Sequence, residues 1–267
     1  MGRWFAKFLS NAGHSIWITG RRPSALRKAS LDLDLPAIRY GARCDWVDAV
    51  VLAVPPDSIK DVVMEYDGLL SDDCLLVDIS SVKARVIDFL RSQDRPALSI
   101  HPFFGPTTDS LRGRSVAVVY PKKLSGRSRE MVLCFRRAGA RIVRCTPDLH
   151  DRAVSYTLAL PHLLGALYAS SILRSGLRPH LLAKLGGTSF RRMYSLARSV
   201  GQESPIVYAS IQIAHPSYAR TLERIMAALE DVQRELSEGE TRAFQRLLDD
   251  ASSLTSLGEV DSGKTFQ

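Results

Sequence analysis

The sequence lacks several features that would point to particular classes of protein. Its four cysteines, Cys44, Cys74, Cys134 and Cys145, form no CxxC pair, so we interpret them as reduced core thiols of a cytosolic protein. No signal peptide is visible. The net charge is +8, but the lysines and arginines are scattered and form no basic-aromatic stripe, which argues against nucleic acid. Small anionic ligands, such as phosphates and carboxylates, suit scattered arginines better.

One stretch, residues 154–173 (VSYTLALPHLLGALYASSIL), lacks charged residues altogether. Its length would allow it to span a membrane, but it contains Pro161, His162 and several hydroxyl side chains. We therefore predict a buried helix and no membrane contact. Because the stretch is too apolar for the surface of a soluble monomer, we expect it to form the spine of an intertwined helical homodimer, with the cofactor domains outermost.

A glycine-rich loop and the strand before it are also missing from the start of the sequence. Residues 1–13 (MGRWFAKFLSNAG) predict a helix, residues 15–19 predict a strand, and together they resemble the helix and second strand of a dinucleotide-binding unit. Gly2 can only be the third glycine of such a loop. We expect the missing strand to be encoded upstream of Met1, because a central strand is hard to lose. The alternative is a complete chain with a crippled cofactor site.

The rest of the first half alternates short apolar runs with helical patterns. Strands are predicted at 37–40, 48–54, 74–79, 97–102, 115–120 and 140–145, and helices at 57–66, 81–90 and 126–139. Runs rich in Val, Leu and Ile are typical of a sheet covered on both faces. We therefore predict an α/β Rossmann-type domain with a mainly parallel sheet over residues 1–146.

Strand signals stop near Pro147, and long helical patterns follow. Residues 218–252 carry apolar side chains at helical spacing with mixed charge opposite them. The second half is accordingly predicted to be an all-helical substrate-binding and dimerisation domain over residues 147–267.

A basic turn follows the second strand of the unit. An NAD enzyme would place Asp or Glu near this position to hold the ribose hydroxyls, whereas here Gly20 is followed by Arg21 and Arg22. Two guanidinium groups favour a 2′-phosphate and therefore NADP, with NAD still possible. The alternative is a solvated basic turn without a ligand.

Two further segments place polar side chains at the ends of predicted strands. Ser80 and Ser81 follow residues 74–79, and His101 precedes a rigid Gly-Pro turn. Ligands of open parallel sheets bind at the carboxyl ends of the strands, where Ser81 and His101 would lie. A simple helix cap is the alternative role for the serines.

Three motifs carry a resemblance to a known family. DISSVK, HPFFGPTTDSLRG and HDRAVSYTLALPH resemble segments of the prephenate dehydrogenases of tyrosine biosynthesis, and the opening MGRWFAKFLSNAGH resembles the end of that family's glycine-rich start. The resemblance covers nearly the whole chain. It implies a Rossmann domain followed by a helical dimerisation domain. We assign to the cofactor site Gly2, Gly20, Arg21, Arg22, Pro55, Ser80 and Lys83.

The resemblance also implies oxidative decarboxylation of prephenate to 4-hydroxyphenylpyruvate. His101 matches the catalytic histidine, a general base, and Ser81 matches a serine that hydrogen-bonds in the site. The substrate is a dianion, and the arginine that grips a carboxylate matches Arg198, in a segment with one apparent insertion before Pro205. The other expected substrate ligands are His162, Arg191 and Gln202, with Arg192 able to share the role. A core histidine is the alternative role for His162.

Three rival functions remain open from the sequence. Arogenate dehydrogenase has the same fold and chemistry with an amino group in the substrate side chain. Another two-domain NADP oxidoreductase, such as a hydroxyacid dehydrogenase or an imine reductase, would not need the His-Pro-x-Phe-Gly-Pro turn. A chain that had lost cofactor binding would act only as a helical dimer. No metal site is expected.

Overall fold

The chain divides into two units. A computed structural model describes residues 1–121, 123–124, 126–202, 205–213 and 216–255. One unit is Met1–Val154 and the other begins at Ser155. The predicted start of the second domain, residue 147, falls at the beginning of the last helix of the first unit, and the functional domain bounds stay a prediction.

A five-stranded sheet forms the centre of the first unit. Its strands are β1 (Ala49–Leu52), β2 (Leu75–Asp78), β3 (Ala97–Pro102), β4 (Ser115–Tyr120) and β5 (Arg141–Arg144), arranged in sequence order. All neighbours are parallel except β3 and β4, which are antiparallel. Every residue of β2 and β3 is buried, as expected for central strands covered on both faces. The predicted Rossmann-type sheet is confirmed.

The described residues of this unit form six α-helices: α1 (Gly2–Asn11), α2 (Pro23–Leu33), α3 (Ile59–Glu65), α4 (Ile87–Arg91), α5 (Gly126–Arg137) and α6 (Pro147–Val154). A short 3₁₀ turn, Pro56–Ser58, precedes α3. Phe5 and Leu9 of α1 pack with Phe135 of α5 and the buried side chains of β2 and β3 in one core cluster. Helix α1 ends before Gly13, whose φ of 91° only glycine adopts readily.

Two predicted strands are wrong. Residues 15–19 and 37–40 form only one isolated parallel bridge, between Ile18 and Ala37. Strand β1 ends the order of the sheet, so within the described residues no strand offers these segments a further ladder of hydrogen bonds. Two short extended segments without a neighbouring sheet are marginal. The helix predicted at 81–90 is also shorter, because it begins only at Ile87.

The second unit is helical throughout its described part. A π-helical turn, Ser155–Ala159, is followed by α7 (Leu160–Arg174), α8 (Pro179–Leu185), α9 (Thr188–Val200), α10 (Pro205–Gln212), α11 (Pro216–Ser237) and α12 (Arg242–Thr255). Helices α7 and α9 pack closely at Gly165, where an added Cβ would lie 3.0 Å from Val200. Gly239, with a φ of 76°, separates α11 from α12.

Little of the apolar surface of helix α7 is buried within this unit. Gly165 is its only buried residue, and Leu167 and Leu173 are largely exposed. In the described residues one helical run, Pro147–Arg174, is long and apolar enough by composition to cross a membrane. Of its most apolar 18-residue stretch, 11% is buried within the structure. A core helix of a soluble protein passes the same test.

Candidate active site

A buried ion pair lies at the carboxyl end of β2. The Lys83 ammonium donates to Asp78 at 2.7 Å and to the carbonyl oxygen of Ile100 at 2.7 Å. The Ser99 hydroxyl and the Ser80 amide also donate to the Asp78 carboxylate. Both charged side chains are fully buried, and burial lowers the pKa of Lys83 although Asp78 opposes the shift. The pair ties the ends of β2 and β3 together.

Three side chains form a continuous hydrogen-bonded row next to this pair. Nδ1 of His101, in β3, lies 2.9 Å from Nε2 of His150, in α6. Nδ1 of His150 lies 2.6 Å from Oδ1 of Asp151. All three residues are at most 4% exposed. The Asp151 carboxylate also accepts the amide N–H groups of Lys83 and Ala84, at 2.9 and 2.7 Å.

Burial determines the charge state of this row. Desolvation, together with His150 and Lys83, lowers the pKa of His101 well below its usual range. Desolvation also lowers the pKa of His150, although Asp151 opposes it. Burial would raise the pKa of Asp151, but hydrogen bonds from His150, Lys83 and Ala84 lower it overall. At neutral pH both imidazoles are therefore neutral and the carboxylate is ionised.

Nε2 of His101 is the free end of the row. Within the described residues no side chain or backbone group forms a hydrogen bond with it, and the ring lies against Phe103, with centroids 4.4 Å apart. A neutral imidazole with an unengaged nitrogen can accept a proton.

The other predicted residues near β2 take various positions. The Ser80 hydroxyl donates to the Val82 carbonyl at 2.9 Å. Ser81 is half-buried, and no hydrogen bond joins it to His101 in the described part of the chain. Pro55 is exposed just beyond β1. Lys83 is committed to Asp78 rather than presented to solvent. Their catalytic and cofactor roles stay predictions.

A basic cleft of about 520 Å³ lies beside the turn at Gly20. Arg21, Arg27 and Arg39 line it together with Tyr40. Arg21 donates to the Tyr40 hydroxyl at 3.1 Å and pairs with Glu65 at 3.4 Å. Three guanidinium groups around one cleft fit a phosphate.

The remaining cofactor residues lie near helix N-termini. At Gly2, in the first turn of α1, an added Cβ would lie 3.0 Å from the Cβ of Ala53, so the helix approaches the end of β1 closely, as a third fingerprint glycine would allow. Arg22 is exposed at the N-cap of α2. The first-turn N–H groups of α1 and the arginine cleft suit a dinucleotide phosphate.

Three predicted substrate residues share one cleft of the second unit. Arg191, Arg198 and Gln202 line a cleft of about 510 Å³, whose walls also include Tyr194 and Ser195. Residues 191, 194, 195 and 198 recur at helical spacing, so one face of α9 carries them. Among the described residues neither arginine side chain has a hydrogen bond or an ion pair. Arg192 does not line the cleft.

His162 lies apart from that cleft, in α7. Its ring stacks on Tyr208 with centroids 4.0 Å apart. Its buried Nδ1 has no hydrogen-bond partner within the described residues, and burial lowers its pKa. An unpartnered buried nitrogen fits either a ligand contact or a site completed by another chain.

Sequence reasoning missed the partners of His101. His150 and Asp151 lie in the HDRAVSYTLALPH motif, but the sequence alone does not predict their contact with His101. Arg27 and Arg39 likewise line the basic cleft although no motif marks them. The available signal was an adjacent His-Asp pair at a helix that follows a strand, because buried ionisable neighbours are costly unless they are paired.

The sheet, its basic cleft and the following helical unit define a class: the dehydrogenases that pair a Rossmann-type nucleotide-binding domain with a helical domain. Residues 5–132 match the family model for the nucleotide-binding domain of prephenate dehydrogenase. Residues 146–250 match the model for its dimerization domain. The chain belongs to the prephenate dehydrogenase family.

Similar curated proteins have different names. The chain is 22% identical over 265 residues to a "Probable arogenate/prephenate dehydrogenase" of Methanocaldococcus jannaschii, covering 94% of this chain and 58% of that protein. It is 25% identical to a "T-protein" of Enterobacter agglomerans, covering 91% and 62%. It is also 25% identical to a "4-amino-4-deoxyprephenate dehydrogenase" of Streptomyces pristinaespiralis, covering 92% and 85%. The chain thus spans about three fifths of the length of the first two.

Solved structures share the fold. Prephenate dehydrogenase from Aquifex aeolicus, in complex with hydroxyphenyl propionate and NAD+, superimposes with a TM-score of 0.74 at 20% identity, covering 97% of this chain and 95% of that one. Synechocystis arogenate dehydrogenase gives a TM-score of 0.66 at 19% identity, covering 96% and 95%.

Proposed function

We propose that the chain catalyses the NAD(P)-dependent oxidative decarboxylation of prephenate to 4-hydroxyphenylpyruvate, in tyrosine biosynthesis in the cytoplasm. The observation that carries the proposal is His101: a neutral, buried imidazole at the carboxyl end of β3, with Nε2 free among the described residues. Its position matches the edge at which α/β sheets bind ligands, within a family of dehydrogenases.

The proton transfer is assigned to His101. Nε2 takes the proton of the ring hydroxyl, and the electrons of the O–H bond form the carbonyl as hydride leaves the same carbon. A bound nicotinamide nucleotide accepts the hydride. The ring carboxylate leaves as carbon dioxide, its bonding electrons make the ring aromatic, and the phenolate oxygen recovers a proton from Nε2. Ser81 is the proposed donor that orients the hydroxyl.

The substrate carboxylates are assigned to the helical unit. Prephenate carries two carboxylates, and Arg191 and Arg198 offer two guanidinium groups without partners among the described residues in one cleft. Paired N–H···O bonds from arginine to carboxylate are strong and directional. Gln202 and His162 are the further proposed substrate ligands.

NADP is the proposed cofactor. The support is the basic cleft at Gly20, where Arg21, Arg27 and Arg39 can surround a 2′-phosphate. Replacing Arg21 and Arg22 by Ala should remove most of the preference for NADP in a comparison of KM values for the two cofactors. Equal KM values in the unmodified protein would contradict the assignment.

A homodimer is the proposed assembly, formed through the helical unit. The exposed apolar side chains of α7 need a cover, and the matching family model is a dimerization domain. Light scattering at micromolar concentration should give twice the mass of the chain. A monomer, or extraction only with detergent, would contradict this assembly.

Arogenate is the alternative substrate, since relatives carry both names. The two are separated by measuring reduced nicotinamide with each purified substrate, and by identifying the aromatic product. A higher kcat/KM for prephenate than for arogenate is expected. A reversed ratio would make the chain an arogenate dehydrogenase, and no turnover with either would remove the proposed function.

A further inference from the structure

The row from Asp151 through His150 to His101 has a defined direction. Asp151 is ionised and 2.6 Å from Nδ1 of His150, and a carboxylate only accepts hydrogen bonds. Nδ1 of His150 therefore carries the proton. Since His150 is neutral, its Nε2 has a lone pair and can only accept.

The same argument continues to His101. Its Nδ1 lies 2.9 Å from Nε2 of His150 and must donate the hydrogen bond. A neutral imidazole has one N–H, so Nε2 of His101 has the lone pair. The opposite assignment would put two lone pairs against each other at Asp151 and His150, or would require a buried imidazolium.

We infer that His150 and Asp151 are positioning residues that hold His101 in the Nδ1–H tautomer, so that Nε2 is always the proton-accepting atom. This inference rests on the proposed function for its role in turnover, although the tautomer itself does not depend on the substrate. Neither residue touches the reacting atoms. Both act through the orientation and the protonation of one ring.

The row can also stabilise the positive charge that develops on His101 during the reaction. When the substrate O–H bond breaks and Nε2–H forms, His101 becomes an imidazolium, and its Nδ1–H donates toward His150 and the Asp151 carboxylate. The buried Lys83 ammonium opposes this positive charge, and Asp78 partly neutralises Lys83. A polarised row toward a carboxylate offsets the cost of charge in a buried site.

The variant Asp151→Asn separates control of the His101 tautomer from structural support of the loop at Lys83 and Ala84. In this variant the amide nitrogen takes the place of Oδ1, next to Nδ1 of His150. The remaining oxygen takes the place of Oδ2, which accepts the amides of Lys83 and Ala84 at 3.1 and 2.7 Å now, so we expect the fold to be retained with the loss of the 2.9 Å bond from Lys83 to Oδ1. The Asn amide donates to Nδ1 of His150, which moves the His150 proton to Nε2. His101 then accepts at Nδ1 and carries its own proton on Nε2, where it blocks the base.

The direct readout is the ¹⁵N NMR spectrum of protein labelled at histidine, which distinguishes protonated from unprotonated ring nitrogens. In the unmodified protein we expect His101 protonated on Nδ1, and in Asp151→Asn on Nε2. A spectrum of the unmodified protein with the proton of His101 on Nε2 would overturn the inference, whether or not the protein is active.

Kinetics supply the second readout. Asp151→Asn should lower kcat by about a hundred- to ten-thousandfold, the usual range for general base catalysis, with KM within about twofold. The matched control is Asp148→Asn, one turn earlier in α6, where the side chain is 72% exposed, and it should keep kcat. Normal kcat in folded Asp151→Asn would also overturn the inference. Inactivity of the unmodified protein with a confirmed tautomer would instead count against the proposed function.

Discussion

The two units treat their buried polar groups differently. In the first, Asp78, Lys83, His101, His150 and Asp151 are all connected by hydrogen bonds. In the second, Nδ1 of His162 and the hydroxyl of Tyr218 are buried without a partner among the described residues. A completed network holds groups in one protonation state, whereas open groups are available to something outside the chain.

Apolar surface shows the same difference. The first unit closes its core around the sheet, while the second leaves large apolar side chains of α7, α11 and α12 exposed, among them Leu167, Leu229 and Leu248. The comparison teaches that the described core of the first unit is covered by its own side chains, whereas the exposed apolar side chains of the second unit are the kind of surface that another surface covers.

The largest expected effect is the loss of the base at the end of the completed network. His101→Asn keeps a polar group but cannot take a proton at neutral pH, so kcat should fall by about a hundred- to ten-thousandfold with KM little changed. Steady-state kinetics measure both. His14→Asn, an exposed histidine of the same unit, is the control, and near-normal kcat in His101→Asn would show that the base lies elsewhere.

Stability should depend strongly on the pairing inside the network. Lys83→Met keeps the length of the side chain but leaves the Asp78 carboxylate buried without its cation, which typically costs about 3–5 kcal/mol. Denaturant unfolding measures the loss. Lys60→Met, at an exposed position of α3, should change the free energy of unfolding by less than about 0.5 kcal/mol. A loss below about 1 kcal/mol in Lys83→Met would mean that the pair is not a structural anchor.

An open group of the second unit should affect binding rather than turnover. Arg198→Gln removes a charged donor from the cleft, worth about 1.5–3 kcal/mol, so KM for the substrate should rise about ten- to hundredfold with kcat nearly unchanged. Arg192→Gln, next to the cleft but not lining it, is the matched control. Equal effects of the two variants would contradict the assignment of the cleft.

The smallest effect is expected at His162. His162→Phe keeps the ring stacked on Tyr208 and removes a nitrogen without a partner in the described chain, so the free energy of unfolding should stay within about 1 kcal/mol. A substrate ligand would show a raised KM at unchanged stability. Lower stability with an unchanged KM would identify a core histidine instead.

The sequence predicted those parts that depend on local pattern. Residues 97–102 and 115–120 form strands as predicted, with His101 at the carboxyl end of β3. Arg191 and Arg198, assigned through the resemblance, line one cleft because their spacing follows one face of α9, and Gln202 lies just beyond the end of that helix.

Long-range contacts could not be read from local pattern. His150 is 49 residues from His101 along the chain, and only the packing of α6 brings the two rings together. Residues 15–19 have the composition of a strand, but strand formation depends on a neighbouring ladder that composition does not reveal. The helix predicted at 81–90 starts only at Ile87 because of another long-range contact. Asp151 accepts the Lys83 and Ala84 amides and holds them in a non-helical arrangement.

Those two amides have a consequence for hydrogen exchange. They lie in a loop without regular secondary structure, yet each donates to a buried carboxylate 67 or 68 positions further along the chain. Their hydrogens can exchange with solvent only when these bonds to Asp151 of α6 open, so they should exchange more slowly than other loop amides. The loop after β2 is therefore held in place by hydrogen bonds to a helix far away in the sequence. The exchange rate of these two amides measures how often those hydrogen bonds open.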